Sequence, residues 1–169
     1  MNTPEIPQNT LTIPTKEMRE SGITYFSYGI ISKGEVVVSY FTNEEWGTLY
    51  KEKRYNRADP LLKRVMHFHF PLIVWDALHP DGQEKKIMLE RNEVCHLKSG
   101  LTVGINNKRT TEIIAFGTDV SPQEFYSLLR DEAYKRSVYN IISEFYKKQE
   151  DTLSKTLSKG LLFTKKPSV

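Results

Sequence analysis

The fold class is decided by one stretch near the N-terminus, ITYFSYGIISKGEVVVSYF, which spans Ile23–Phe41. It holds two runs rich in β-branched and aromatic residues, ITYFSYGIIS and EVVVSYF, and this composition is typical of β-strands. The residues SKGE at their junction place Gly34 where a tight hairpin turn requires a positive φ. The stretch therefore predicts two antiparallel strands joined by a hairpin.

A second hairpin is expected further along the chain. The runs LTVGI and TEIIAFG, at residues 101–105 and 111–117, have strand composition and flank the polar turn NNKR. Helical patterns interrupt the two strand pairs, and each strand is linked to its partner by a hairpin rather than by a crossover. This order favours an α+β fold, an α/β/α sandwich with a central antiparallel sheet and helices on both faces.

The helices are placed by their capping signals and apolar periodicity. Asp59 and Pro60 suit the N-cap and the first position of a helix, and Ser121 with Glu124 suits a capping box. The pattern after that box predicts one uninterrupted amphipathic helix. The expected helices cover residues 16–21, residue 42 or 43 to about residue 54, Pro60 onward, residues 84–97 (closed by residues 98–100) and residues 121–149.

Length and composition indicate one globular domain. The chain has 169 residues, of which 38% are hydrophobic and 27% are charged, and this is the profile of an ordinary globular protein. We expect a loose arm at residues 1–14, a folded domain at residues 15–150 and a basic tail at residues 151–169. Lysines near the C-terminus account for the formal net charge of +3, which favours a solvated helix end over a DNA-binding surface.

Signals for membrane insertion, secretion and disulfides are missing from the sequence. No run approaches the ~18 consecutive apolar residues of a membrane span, and MNTPEIPQNT at the N-terminus lacks the features of a signal peptide. Cys95 is the only cysteine, so no internal disulfide can form and a reducing compartment fits. The sequence thus predicts a cytoplasmic protein with no membrane partner.

Signatures of catalysis and metal binding are missing as well. The sequence has no G-x-S-x-G, G-x-x-x-x-G-K, G-x-G-x-x-G or H-E-x-x-H motif. His67 and His69 would share one side of a strand, but the spacing shows no third ligand, so no metal site is expected. Cys95 and His96 are neighbours whose side chains would point about 100° apart on a helix. We therefore expect neither enzyme activity nor a cofactor.

A second stretch, EEWGTLYKEKRYNRADP at Glu44–Pro60, raises the question of a ligand pocket. Trp46 and Tyr50 share one helix face, and Tyr55 and Asp59 follow. Such a stripe is usually core, and an Asp before Pro is usually an N-cap. Trp, however, offers only a donor and ionised Asp only acceptors, and together they complement a small molecule with a carbonyl near an N–H. Both interpretations stay open, and Asp59 could serve as cap and ligand contact at once.

Four motifs in order resemble a known family. The pattern W…Y…Y…DP is followed by Pro71 and Trp75, then by LKSGLTVGI and the strand IIAFG. Together they resemble the autoinducer-binding domain of LuxR-type quorum-sensing transcriptional regulators, over roughly residues 16–150. The resemblance implies a bacterial sensor domain that binds an N-acyl-homoserine lactone between the sheet and one helical layer, with no other cofactor.

The resemblance also implies roles for single residues. The residue matching Trp46 donates its indole N–H to the lactone carbonyl, and the residue matching Asp59 accepts from the ligand amide. Aromatic residues matching Tyr50 and Trp75 wall the lactone and the acyl chain. Thr42 stands where the family commonly has a Tyr, and Ala115 lies near the position of a frequent Ser or Thr. The predicted ligand-binding residues are Trp46, Tyr50, Asp59, Trp75, Tyr55, Thr42 and Ala115.

Two functions follow from the resemblance and stay open. In the family, ligand-stabilised folding and dimerisation position a C-terminal helix-turn-helix on DNA. No such pattern follows Gln149, so no direct DNA binding by this chain is expected. The first function is a sensor that regulates transcription through dimerisation, as a homodimer or a heterodimer with a related regulator. The alternative is a ligand-independent single-domain protein that dimerises with a full-length LuxR-type regulator and modulates it.

Overall fold

The computed structural model describes Leu11, residues 13–68 and residues 72–162, with side chains as far as residue 150. Most of the predicted arm lies outside the described residues, as do His69, Pro71 and the side chains of the predicted tail. Among the described residues, the strands are β1 (Tyr25–Ser32), β2 (Glu35–Phe41), β3 (Leu72–Val74), β4 (Ser99–Asn106) and β5 (Thr110–Thr118). The α-helices are α1 (Thr15–Glu20), α2 (Glu44–Glu52), α3 (Pro60–Phe68), α4 (Gly82–Val94), α5 (Pro122–Arg130) and α6 (Glu132–Leu162).

The strands of the described residues form one five-stranded antiparallel sheet in the order β2-β1-β5-β4-β3. The first predicted hairpin joins β1 to β2 with Tyr28 opposite Tyr40, and Gly34 in its turn adopts a φ of 79°. The second predicted hairpin joins β4 to β5 with Thr102 opposite Ala115. β1 and β5 pair at the centre, so the predicted antiparallel sheet is confirmed.

Alternate residues of the sheet contribute to two separate apolar cores, because successive side chains of a strand point to opposite faces. Phe26 and Phe116 pack with side chains of α1, α5 and α6 on one face. Tyr25 and Ala115 pack with side chains of α2, α3 and α4 on the other face. The architecture is therefore the predicted α/β/α sandwich, and the second face carries the candidate site.

A shared carboxylate links α6 to the sheet. Oε2 of Glu112 on β5 accepts the hydroxyl of Tyr28 at 2.8 Å and the hydroxyl of Tyr146 at 2.5 Å. Burial and the Glu112 carboxylate raise the pKa of both tyrosines, so both remain O–H donors. Phe145, the neighbour of Tyr146, places its ring 5.0 Å from that of Phe26.

The helix predicted at residues 84–97 ends earlier than expected. α4 ends at Val94, Cys95 is its C-cap, and His96 adopts a positive φ of 55° that turns the chain away from the helix axis. The residues expected to close the helix, Ser99 and Gly100, belong to β4 instead. That part of the prediction is wrong because pairing with β5 extends the strand towards the helix.

The single long helix predicted at residues 121–149 is also wrong, since two helices, α5 and α6, cover this segment. Asp131 between them has an extended backbone (φ −78°, ψ 125°), and its Oδ1 accepts the backbone N–H of Tyr134 at 2.8 Å. The Asp side chain thereby competes with the helix for a backbone donor. The spacing of apolar residues does not reveal such a bond, so it did not predict the break. α6 runs to Leu162, so helical backbone extends into the predicted tail.

Candidate functional site

Helix α2 carries the first aromatic pair of the site. Asn43 caps the helix by accepting the backbone N–H of Trp46 at 2.8 Å. Trp46 is 0% exposed, and its ring centre lies 5.6 Å from that of Tyr50. Within the described part of the chain, the indole N–H of Trp46 has no hydrogen-bond acceptor. A buried donor without a partner costs about 1–3 kcal/mol, so an acceptor placed beside Trp46 would stabilise the fold.

Asp59 uses both of its carboxylate oxygens. Oδ1 accepts the backbone N–H of Leu61 at 2.9 Å, which agrees with the N-cap role predicted at the start of α3. Oδ2 accepts the hydroxyl of Tyr50 at 2.9 Å and Nη2 of Arg91 at 2.5 Å. Burial and the charge of Asp59 raise the pKa of Tyr50 well above its ordinary value, so Tyr50 remains an O–H donor. Asp59 is therefore a helix cap and an ionic partner at once.

Arg91 of α4 is that ionic partner, with only 3% of its surface exposed. Its guanidinium carbon lies 5.2 Å from the ring centre of Trp46 and 5.5 Å from that of Trp75, within the range of cation–π attraction. Its Nη1 lies 3.0 Å from the sulfur of Met88. Burial is the largest single influence on the pKa of Arg91 and lowers it, but the charge and hydrogen bond of Asp59, together with the nearby Tyr25 and Tyr50, outweigh burial and raise the pKa. A charged guanidinium is thus held by one carboxylate and two indole rings.

The sheet fixes the orientation of Trp75. Its indole N–H donates to Oγ1 of Thr102 at 2.8 Å in a buried bond. Gly100, which precedes Thr102 on the same face of β4, leaves the space that the indole fills, since a Cβ at this position would lie 2.3 Å from the ring. The ring also meets that of Tyr25 nearly edge-on at 6.4 Å. β4 therefore positions Trp75 against Arg91.

We expect Thr102→Val to lower the free energy of unfolding by about 1–3 kcal/mol, because the buried indole N–H of Trp75 loses its acceptor while the side-chain size is kept. Urea denaturation followed by circular dichroism measures this change. Thr111→Val is the matched control, since the Thr111 hydroxyl donates to Asn106 in an exposed bond and its loss should change stability by less than about 0.5 kcal/mol. Equal effects of the two substitutions would contradict the role of Thr102.

A largely apolar cavity of about 50 Å³ adjoins this cluster. Leu61 of α3 and Ile113 of β5 contribute to its apolar wall, while Tyr50, Asp59 and Arg91 supply its polar edge. Pockets for drug-sized ligands usually hold roughly 300–1,000 Å³. The cavity beside the cluster is therefore much smaller than a site filled by such a ligand.

A larger cleft of about 400 Å³ lies on another side of Trp75 and opens to solvent. His79, Lys85 and Asn92 are among the residues that line it. Asp59 and the α2 aromatics do not reach it. Since ligand sites combine an apolar wall with a few convergent polar groups, the smaller cavity and its cluster are the better candidate site.

Tyr55 and Ala115 lie beside the cluster. The Tyr55 ring centre is 5.8 Å from that of Trp46, and its hydroxyl donates to Glu90 of α4. This bond links the loop before α3 to α4 next to Arg91. Ala115 lines the cavity from the central strand β5. The structure thus brings both predicted residues close to the Trp46, Asp59 and Trp75 side chains.

Thr42 lies apart from the cluster. Its hydroxyl accepts the backbone N–H of Phe26 at 2.9 Å and donates to the carbonyl of the same residue at 3.0 Å. These bonds extend the pairing of β1 and β2 beyond the last residue of β2. Thr42 does not line the cavity, so a direct ligand contact of Thr42 stays a prediction without structural support.

Two residues of the site were missed in the sequence. Arg91 lies in a segment dense in charged residues, where an exposed side chain is the usual interpretation. The spacing along the helix could have indicated its burial. Arg91 lies one helical turn after Ile87, and Ile87 is 0% exposed. Ser27 of β1 lies opposite Ala115 in the sheet and lines the cavity. It supplies a hydroxyl beside the strand position where Ala115 has none.

The described residues support neither a metal site nor a reactive cysteine nucleophile. No three His, Cys, Asp or Glu side chains among them converge as a metal site would require. Burial raises the pKa of the Cys95 thiol to about 12, so little thiolate is present near neutral pH. In the same part of the chain, no helix is both long and apolar enough to cross a bilayer.

Comparison with known proteins identifies the family of the chain and solved structures with a similar fold. The sequence pattern of the family described as autoinducer binding domain matches residues 9–136, which is most of the chain. None of the curated protein sequences matches significantly. A similar solved structure is CepR2 from Burkholderia cenocepacia, described as an N-acylhomoserine lactone dependent LuxR family transcription factor. It has a TM-score of 0.59 and 19% identity, over 75% of this chain and 76% of that chain.

SdiA is similar in two further structures. SdiA in complex with octanoyl-rac-glycerol has a TM-score of 0.50 and 13% identity, over 82% of this chain and 58% of that chain. Escherichia coli SdiA in the space group P6522 has a TM-score of 0.48 and 15% identity, over 78% of this chain and 59% of that chain. The chain thus spans less than two thirds of SdiA. Since the family pattern matches most of the chain, the protein belongs to the autoinducer-binding domain family of LuxR-type regulators.

Proposed function

We propose that the chain senses a small amphipathic signal, an N-acyl-homoserine lactone or a close relative, between the sheet and helices α2–α4. One observation carries this proposal: the fully buried indole N–H of Trp46 has no acceptor among the described residues. A signal carbonyl beside Trp46 would satisfy that donor. It would relieve a desolvation cost of about 1–3 kcal/mol, and binding would therefore stabilise the fold.

The apolar part of such a signal has an obvious place. The cavity beside the cluster is walled by aliphatic side chains that include Leu61, Leu62 and Ile113. An acyl chain that enters along this wall would enlarge the cavity and bury its own surface, at about 25 cal/mol per Å² of apolar area removed from water. In this arrangement the polar head would lie towards Asp59 and the acyl chain along β5.

The regulatory consequence belongs to the same proposal. Ligand binding to the native state raises its stability by mass action, and a stabilised domain would present its surfaces for pairing with a second copy or with a related regulator in the cytoplasm. Transcription would then respond through the dimer. This sequence of steps is a proposal based on family membership.

Thermal unfolding with a series of acyl-homoserine lactones of different chain lengths tests the sensor. A binder at about 100 times its dissociation constant stabilises the fold by ~2.7 kcal/mol, so the Tm should rise by several degrees for a chain of this size. Trp46→Phe should weaken binding by about tenfold, because it removes the donor and keeps the aromatic ring. Tyr139→Phe, at a 69% exposed position of α6, should leave binding unchanged. No shift with any lactone would reject the lactone sensor.

A second function is favoured by one specific observation. Asp59 and Tyr50 already bond to each other, and Asp59 bonds to Arg91 as well, so the polar cluster is largely satisfied without a signal. A ligand-independent partner of a full-length LuxR-type regulator would have this property. Analytical ultracentrifugation of the ligand-free chain, alone and mixed with such a regulator, tests it. A chain that stays monomeric in both experiments excludes this function.

A further inference from the structure

Arg91 was not predicted to bind a ligand, yet its side chain is surrounded by residues that were. Its guanidinium is bonded to the carboxylate of Asp59, which also accepts the Tyr50 hydroxyl. It lies over the rings of both Trp46 and Trp75. A cationic planar group therefore contacts three of the side chains that the resemblance assigned to a ligand, and it shares Asp59 with the fourth, Tyr50.

The cavity gives an independent geometric argument. Arg91 lines the cavity, whereas neither Trp46 nor Trp75 does. Because Arg91 lines the cavity and its guanidinium lies over both indole rings, a molecule in the cavity meets Arg91 before it meets either indole. The remaining volume of about 50 Å³ is well below the roughly 300–1,000 Å³ of an ordinary ligand pocket. A signal head group that reaches either indole from the cavity therefore needs the space that the Arg91 side chain fills.

The hydrogen bonds of Asp59 lead to the same conclusion. Its Oδ1 caps α3 through Leu61, and its Oδ2 accepts from both Tyr50 and Arg91. A carboxylate offers about four acceptor positions, and at least three of them are taken. Both acceptor positions of Oδ2 are taken, so a signal amide that bonds to Oδ2 would have to replace the Tyr50 hydroxyl or the guanidinium. Of these two donors, the guanidinium is the one that also lies over both indole rings.

We infer that Arg91 is a built-in occupant of the head-group position, whose guanidinium takes the place of a signal between Asp59, Trp46 and Trp75. The inference rests on the proposed location of the binding site. Two properties follow from it. The ligand-free domain holds a cooperative fold, and a lactone binds only where it displaces Arg91. Arg91 thus sets the affinity and the head-group selectivity of the site.

The experiment uses the full chain and two arginine variants. Arg91→Ala removes the occupant, and Arg136→Ala removes an exposed guanidinium from α6 as the matched control. Each protein is heated alone, with millimolar methylguanidinium chloride, with sodium chloride at the same ionic strength, and with N-octanoyl-homoserine lactone. We expect Arg91→Ala to lower the Tm by roughly 10 °C, since it leaves a buried carboxylate without its partner.

The decisive measurement is whether methylguanidinium, which supplies the missing guanidinium group, restores the stability of Arg91→Ala. Methylguanidinium at about ten times its dissociation constant should raise the Tm of Arg91→Ala by roughly 3–6 °C, and should not raise that of Arg136→Ala or the wild type. The lactone should bind Arg91→Ala at least about tenfold more tightly than the wild type. If Arg91→Ala is unfolded at 25 °C, circular dichroism should show refolding by either probe, and refolding by neither overturns the inference.

The outcomes separate this inference from the lactone sensor. Rescue by methylguanidinium without any lactone response, in variant or wild type, supports the role of Arg91 and rejects a lactone as the signal. Lactone binding that is equal in the wild type and in Arg91→Ala, without guanidinium rescue, overturns the inference and keeps the sensor. An unchanged Tm of Arg91→Ala also overturns it, since the contacts of the occupant would then contribute nothing to the fold.

Discussion

Asp59→Ala is expected to destabilise the domain by roughly 4 kcal/mol or more. The substitution leaves the guanidinium of Arg91 buried without its carboxylate, and removal of one partner of a buried ion pair costs about 3–5 kcal/mol. It also removes the cap bond to Leu61, which is worth about 1 kcal/mol. Because whole domains are stable by about 5–15 kcal/mol, most of the native state could be lost. Urea denaturation followed by circular dichroism measures the effect.

Two further variants separate the ionic part from the capping part. Asp131→Ala removes an N-cap aspartate whose Oδ1 accepts the backbone N–H of Tyr134 at an exposed position, and should cost only about 1 kcal/mol. Asp59→Asn keeps an N-cap residue and removes the charge, so it should lie between the two alanine variants. If Asp59→Ala cost no more than Asp131→Ala, the Asp59–Arg91 pair would contribute nothing to stability.

Gly100→Ala is expected to have the next largest effect, a loss of about 3 kcal/mol in the free energy of unfolding. The new Cβ would lie 2.3 Å from the Trp75 ring, so the indole must move. Overpacking of this kind costs about 1–3 kcal/mol. Movement of the ring also breaks the buried bond to Thr102, which adds about 1–3 kcal/mol for an unpaired donor. Thermal or urea unfolding measures the loss.

Gly29→Ala on β1 is the matched control for a strand glycine. A Cβ at this position would lie 3.1 Å from a methyl group of Ile113 and 3.4 Å from the carbonyl of Val38. The methyl group can move by a few tenths of an ångström, so the cost should be clearly smaller than at Gly100. Tryptophan fluorescence should change in Gly100→Ala and stay unchanged in Gly29→Ala. Equal losses in both variants would show that the indole contact is not the cause.

Four of the five described strands and most helix starts could be predicted from sequence because their causes are local, whereas the short edge strand β3 was not predicted. Strand composition and a glycine turn define the β1–β2 hairpin, and Asp59 before Pro60 defines the start of α3. The break at Asp131 was not predicted, since the apolar stripe continues across it and a single side-chain bond decides the geometry. Local signals therefore recovered both hairpins but neither β3 nor every helix boundary.

The candidate site was predictable only in part. The aromatic residues and Asp59 are visible in the sequence as a spaced motif. Arg91 was not, because its burial depends on how α4 packs on the sheet, and its charge suggests a solvent-facing position. The buried guanidinium is stabilised by a carboxylate and two aromatic faces, and these come from α2, the start of α3 and the segment after β3. Long-range packing decides the chemistry of the site.

The central strand β5 has a consequence for how the two faces communicate. Ala115 lines the cavity, while its neighbours Ile114 and Phe116 belong to the opposite core. Glu112, three residues before Ala115, binds Tyr146 of α6. One strand backbone therefore joins the wall of the cavity to the packing surface of α6. A substitution that shifts this backbone at Ala115 would be expected to change both at once.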